Sequence, residues 1–569
     1  MRFKCLSSLI AMTALASAAS VLAQDAPTAA TPAPAPAAAT APTTPQTPST
    51  PPKLLVVISV DQFSADLFGQ YRNQFTGGFK RLQEGVVFPK AYQSHAATET
   101  CPGHSTILTG NRPNHTGIIA NSWINQSITR AEKAVNCVED PEAPGGTPGN
   151  YVVSNQNLRV ATLGGRMKAA NPASRVISVA GKDRSAIMMG GKTLDQVWWW
   201  GSNGFVSYRG IEPTPLVAGV NAAVTKMLSE DRPAMALPAN CSASDYPVEI
   251  TTGVTVGTGR FARKAGDTRL FRASPEFDAA TLVLAESLIE DQKLGKGPAT
   301  DIISIGLSAT DYVGHSLGTQ GAEMCLQLMT LDQELNAFFE RLDRTGVDYM
   351  VTLTADHGGQ DAAERLRLNG AEDAQRVNAD LSTRAVNARV AASTGLKGEL
   401  LLGDGDIYAN KTLSAADRKR VLDAAASIYT AHPQVAAVFT RAQILAAPEP
   451  AGPPETWSLL TEVKASFDPE RSGDLVVLIK SRITPYPDAS RGAVAGHGTP
   501  WDYDRRVPLI FWRKGLPHYE QAMGVETVDI MPTLAAQIGL PLPPKGPNAG
   551  YDGRCLDLAI GVPNSCPAK

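Results

Sequence analysis

No Cys-x-x-Cys spacing occurs anywhere in the chain, which excludes a zinc knuckle built on paired thiolates. Past the first two dozen residues there is no run of about 18 consecutive apolar residues, so no later segment reads as a membrane-spanning helix. Neither sign of charge dominates: 52 Lys and Arg against 55 Asp and Glu give a formal net charge of −3. A global field that would draw in nucleic acid or an anionic membrane is therefore absent. An anionic ligand would have to be captured by a local cluster of cations. No internal repeat is evident either.

What is present begins with a leader. Arg2 and Lys4 precede a short apolar stretch from Leu9 to Ala19, and Val21-Leu22-Ala23 supplies small-residue cleavage chemistry after Ala23. Residues 1–23 thus read as a signal peptide, and a periplasmic or secreted location is expected. Residues 24–52 are almost wholly Ala, Pro, Thr, Gln and Ser, a composition that cannot bury a core and reads as a disordered linker. Beyond the leader there remain Cys101, Cys137, Cys241, Cys325, Cys555 and Cys566. An even number in an exported chain points to disulfides, and nearest-neighbour pairing is the expectation.

From residue 53 onward, short β-branched and aliphatic runs alternate with helical stretches. Leu54–Val60, Val176–Ala180, Asp301–Leu307 and Tyr349–Leu353 are such runs, the pattern of strands buried on both faces of a parallel sheet. The predicted fold is α/β, a mostly parallel central sheet flanked by helices. Residues 53–569 are read as one catalytic domain. Regularity fades at about 200–270 and 362–470, which are read as insertions forming a cap over the active edge. The sheet is expected to return with Leu475–Ile479 and Val507–Phe511. Trp198-Trp199-Trp200 is read as packing of an insertion against the domain rather than as a ligand platform.

Residues able to hold a metal recur just after these runs, at the strand ends where open α/β sheets bind ligands. Asp61 follows the first run, Asp311 and His315 follow the third, Asp356 and His357 the fourth, and His497 comes late between two glycines. Asp311 and His315 share a face if helical, being four residues apart. Oxygen and imidazole ligands without thiolate suit zinc. Two ions about 3.5–4 Å apart would clamp the attacking and leaving oxygens of an in-line displacement. Pro102 marks a helix start, which puts Thr100 near the cap, where the amides and the dipole favour an anion. Lys182 and Arg184 follow the Val176–Ala180 run. On an extended chain they would point the same way and could grip a doubly charged phosphate. His95, His104, His115, His432 and His518 are read as structural, with His104 able to orient the nucleophile helix.

These stretches together resemble the alkaline phosphatase superfamily, and within it the bacterial alkaline phosphatases with a threonine nucleophile, relatives of the nucleotide pyrophosphatase/phosphodiesterases. Thr100 to Gly110 and Gly117 to Asn121 match the nucleophile region. Asp311 to His315, Thr354 to Gly359 and Gly496-His497-Gly498 match the metal motifs, and Asp502 to Phe511 the closing strand. The resemblance implies two Zn2+ per chain, one on Asp311, His315 and His497, the other on Asp61, Asp356 and His357 beside Thr100. It implies attack by Thr100 to give a phospho-threonine intermediate, a hydrogen bond from Asn121 to a phosphate oxygen, and a Lys182/Arg184 pair that selects monoesters over diesters. The expected function is an exported alkaline phosphatase serving phosphate acquisition. Its substrates would be small phosphate monoesters, and the chain would act as a monomer or weak oligomer without nucleic acid. The rivals are a phosphodiesterase or phosphonate-ester hydrolase and a non-catalytic exoprotein that binds metal or phosphate.

Overall fold

Leu54–Val60, Asp301–Leu307 and Tyr349–Thr354 are strands in which every residue is buried, as their unbroken apolar sequence requires of a sheet covered on both faces. The computed structural model describes residues 50–544, 550–559 and 566. The expected leader and nearly all of the linker lie outside the described residues. Leu54–Val60 sits centrally and pairs parallel with both other strands. Val176–Ala180 and Gln196–Trp200 extend the parallel run. On the opposite side Arg506–Arg513 lies antiparallel to Tyr349–Thr354 and to Val86–Tyr92. Short strands at Phe205–Val206, Tyr519–Glu520 and Val525–Glu526 complete a ten-stranded sheet.

The tryptophan run belongs to this sheet rather than to an insertion. Trp200 packs on Phe205, Phe271 and Phe277 with ring centroids 5.2–5.9 Å apart. Trp199 turns to the opposite face, edge-on to Tyr208 at 5.6 Å, as the two-residue period of a strand dictates. All three rings are buried. The disulfides are Cys101–Cys137, Cys241–Cys325 and Cys555–Cys566, the nearest-neighbour pairing.

One strand expectation needs correction. Leu475–Ile479 is a strand, but it does not rejoin the central sheet. It lies in a separate four-stranded sheet with Leu401–Leu402, Asp406–Ala409 and Val435–Thr440. Leu475 packs with Val386, Val421 and Tyr429 of the helices Thr383–Thr394 and Ala415–Thr430. A short apolar run specifies a strand, but sheet membership is decided by partners distant in sequence. The second insertion is thus a small α/β cap that runs past residue 470. From the first insertion, the hairpin Val248–Thr251/Val254–Val256 packs on Ala362, Val494 and Ala495, close to His497 in the chain. Among the described residues no helix is long and apolar enough to cross a membrane.

Candidate two-metal site

The sheet register assembles the site. Ala180, Gly306, Ser59 and Thr354 are aligned partners across four neighbouring strands. Two residues past that row come Lys182, Ser308, Asp61 and Asp356, so the register alone delivers a cation and two carboxylates to one edge. The helix Ala309–Leu317 starts there and carries Asp311 and His315 on one face, with His315 Nε2 3.2 Å from Asp311 Oδ1. His497, from the loop after the cap, brings its Nε2 to 3.2 Å from His315 Nε2 and 3.4 Å from Asp311 Oδ1. These three residues form one triangle of donors. His357 Nε2 lies 3.5 Å from Asp61 Oδ1 and 3.4 Å from Asp356 Oδ2, which makes a second. His357 stacks on His497 at 3.7 Å between ring centroids and stands between the two clusters, within reach of Asp311 as well.

The donor set fits divalent cations. Each imidazole bonds a backbone carbonyl through Nδ1: His315 to Ala495, His497 to Thr98 and His357 to Gly358, at 2.8–2.9 Å. An Nδ1–H donor fixes the tautomer and leaves every Nε2 lone pair facing the carboxylates, the arrangement of a metal-ligating histidine. His357 Nε2 and Asp61 Oδ1 are buried without a hydrogen bond, a costly condition that a cation relieves. Burial, reinforced by the Asp356 carboxylate, raises the Asp61 pKa. Burial alone would raise Asp311 as well, but His315 and Lys182 outweigh it and hold Asp311 below the usual carboxylate range. Three carboxylates share this buried pocket with few positive charges.

Thr100 opens the helix Thr100–Thr109, with Glu99 at the N-cap. Gly103 lets that helix lie against the Asp356 backbone, since a Cβ there would sit 1.9 Å from the Asp356 carbonyl oxygen. Lys182 is buried, with Nζ 3.5 Å from Thr100 Oγ1, 2.7 Å from Asp61 Oδ2 and 2.6 Å from Asp311 Oδ2. Desolvation opposes its charge, but these two carboxylates outweigh it and raise its pKa. Arg184 departs from the expected geometry. The helix Asp183–Gly190 begins between the two cations, so Lys182 is the extended N-cap residue and Arg184 sits in the first turn. Its guanidinium is 3.8 Å from Asp183 and, unlike Lys182, makes no hydrogen bond to Thr100. Asn121 reaches the same place from the following loop, its Oδ1 accepting the Cys101 N–H at 2.8 Å.

One contributor, Gln62, escaped the sequence reading, and His104, read as able to orient the nucleophile helix, reaches further than that. His104 is not merely structural packing: its Nδ1 lies 2.9 Å from the Thr100 carbonyl and 3.0 Å from Asp356 Oδ2. Its four-residue spacing from Thr100 was the available signal. Gln62 binds Asp356 Oδ1 through its N–H and Asp311 Oδ1 through Nε2, both at 3.2 Å. It does so from a left-handed backbone, φ 65°, which no residue-type rule anticipates for glutamine.

A model of the type I phosphodiesterase/nucleotide pyrophosphatase family matches residues 55–499, a stretch that contains every site residue from Asp61 to His497. The chain belongs to this family. Among curated members similar to it, alkaline phosphatase PhoK of Sphingomonas sp is 57% identical over 525 residues, 91% of this chain and 93% of the relative. Alkaline phosphatase PhoD of Zymomonas mobilis is 49% identical over 91% of this chain and 90% of its own length. The crystal structure of wild type alkaline phosphatase PafA aligns with a TM-score of 0.77 at 26% identity, over 90% of this chain and all of that one. The architecture described above is that of the alkaline phosphatase superfamily.

Proposed function

We propose that this chain is an exported alkaline phosphatase that hydrolyses phosphate monoesters through a phosphorylated Thr100. The observation that carries the reading is the Lys182 ammonium, buried 3.5 Å from the Thr100 hydroxyl. A monoester dianion presents an additional charged oxygen beside the nucleophile, and a buried cation there stabilises it far more than a surface charge would. A diester carries a second organic group in that place. The similarity to curated alkaline phosphatases supports the same reading.

Two zinc ions would be held, one by Asp311, His315 and His497, the other by Asp61, Asp356 and His357 together with Thr100 Oγ1. Bound there, they supply Lewis acidity toward the hydroxyl and the ester oxygens. The chain's own groups do the rest. Thr100 Oγ1 loses its proton and forms a bond to phosphorus while the bond to the alcohol oxygen breaks. The alcohol departs with a proton, and water later cleaves the Thr100 ester to release inorganic phosphate. Lys182 and the Asn121 amide hold the phosphoryl oxygens throughout, and Arg184 supplies a second cation at the helix start. His104 and Gln62 fix the Asp356 and Asp311 carboxylates. Release of phosphate from organic monoesters outside the cytoplasm, by a monomer or weak oligomer, suits the leader and linker read from the sequence.

The decisive measurement is the ratio of kcat/KM for an aryl phosphate monoester to that for the matching diester, on zinc-loaded protein spanning residues 24–569. A ratio well above one is expected. A ratio below one would keep the metals and move the function to a phosphodiesterase. Chelation should abolish turnover in either case, with zinc restoring it.

A further inference from the structure

Asn121 is fastened at three of its polar groups. Its N–H donates to Glu99 Oε2 at 2.6 Å, its Oδ1 accepts the Cys101 N–H at 2.8 Å, and its carbonyl accepts the Cys137 N–H at 3.0 Å. Cys101 and Cys137 are joined by a disulfide, and both are fully buried. Glu99 and Cys101 are the two residues flanking Thr100 in the chain. All three anchors of Asn121 are therefore the nucleophile's own neighbours or are covalently bonded to one of them. Because Cys101 offers a donor, the side-chain oxygen must face it, and this sets the amide orientation and leaves Nδ2 as the outward donor. A donor preset in this way loses no rotamer entropy when the phosphoryl group arrives.

We propose that Glu99 and the Cys101–Cys137 bridge form a clamp that presets the Asn121 amide for the phosphate, with Glu99 acting as a hydrogen-bond acceptor and not as a charge. The proposal rests on reading Thr100 as nucleophile and Asn121 as phosphate donor. Glu99 and the two cysteines are positioning residues: none need touch the substrate. Arg184 and His497 lie within electrostatic range of Glu99. A role through charge on those two groups is therefore the competing account, and it predicts a different outcome for the neutral isostere.

The test uses the zinc-loaded full chain and reads kcat/KM for an aryl monoester, Ki for inorganic phosphate, and Tm. Asn121→Ala should cost about 10²-fold in kcat/KM, the scale of one lost oxyanion donor. Glu99→Ala should cost at least tenfold and raise Ki for phosphate. Glu99→Gln, which keeps the acceptor and loses the charge, should recover most of that loss. In the Asn121→Ala background, Glu99→Ala should cost no more than about twofold further, since the two act as one unit. The paired Cys101→Ser/Cys137→Ser variant should follow the same non-additivity. Paired removal of Cys241 and Cys325 should lower Tm only.

Losses that multiply, or a Glu99→Gln variant as impaired as Glu99→Ala, would overturn the clamp while leaving the phosphatase reading intact. An Asn121→Ala variant with parental kcat/KM and Ki would overturn the role of Asn121 itself. Should Glu99→Ala fail to fold, the cysteine pair measured in parental and Asn121→Ala backgrounds decides the question alone.

Discussion

Lys182 and Gly103 show how single residues set the chemistry at this edge. Lys182 is held between Asp61 and Asp311, so its charge is fixed within 3.5 Å of Thr100 without the entropy cost of a free lysine. Lys182→Ala should lower kcat/KM for an aryl monoester by about 10²-fold or more and that for the matching diester far less. Equal losses for the two substrates would remove Lys182 as the source of monoester preference. Gly103 acts through space it does not fill. An added Cβ would lie 1.9 Å from the Asp356 carbonyl oxygen, and backbone cannot swing aside as a side chain can. Gly103→Ala should cost about 1–3 kcal/mol of stability, the usual range for overpacking. It should also lower kcat by shifting Thr100 away from Asp356. Denaturant unfolding read beside kcat checks both effects, and an intact kcat in the destabilised variant would separate packing from alignment.

Among the elements, the helix Ala309–Leu317 carries two of the candidate ligands, and Asp278 anchors its start. Asp278 is buried, accepts the Ala309 N–H at 2.9 Å and the Gln327 amide at 2.9 Å, and burial pushes its pKa up to about 7. A carboxyl whose folded pKa is raised stabilises the fold fully below its ordinary value, and that contribution is lost as pH climbs through the folded value. Asp278 should thus erode stability between about pH 4 and 7, by ~1.4 kcal/mol for each tenfold difference in proton affinity between the folded and unfolded chain. Asp278→Asn should flatten this stretch and raise Tm above the parent at pH 8. The same Tm deficit at pH 4 and pH 8 would refute it. Elements also mark where sequence was enough. The central strands could be read directly because unbroken apolar runs admit few alternatives, and the i, i+4 pair Asp311/His315 formed as helix geometry dictates. The extended geometry expected for Lys182 and Arg184 failed because Asp183, an acidic first-turn residue, is a helix-start signal that the extended reading passed over. Gln62 could not have been found, because its role depends on a left-handed turn and on carboxylates 249 and 294 residues away.

At the scale of the whole molecule, charge is distributed against the global average. The net charge is only −3, yet two cavities of about 320 and 330 Å3 open beside the metal edge with no lysine or arginine among their lining residues. Asp404 lines both, Asp406 lines the second, and His497 lines the first. In the proposed in-line displacement the alcohol would leave opposite the attacking Thr100, and the first cavity, lined by His497, is the space that would receive it. On that reading, cations gather at the phosphoryl group through Lys182 and Arg184, and carboxylates where the alcohol would sit. Such a wall repels an alcohol that carries its own negative charge. At low ionic strength an aryl phosphate with a ring carboxylate should show a severalfold lower kcat/KM than its neutral isostere. The gap should narrow at about 1 M salt, where the screening length falls to about 3 Å. Asp404→Asn should narrow it too while leaving the neutral substrate little changed. Equal turnover of the two substrates at low salt would mean that the cap wall takes no part in choosing the alcohol.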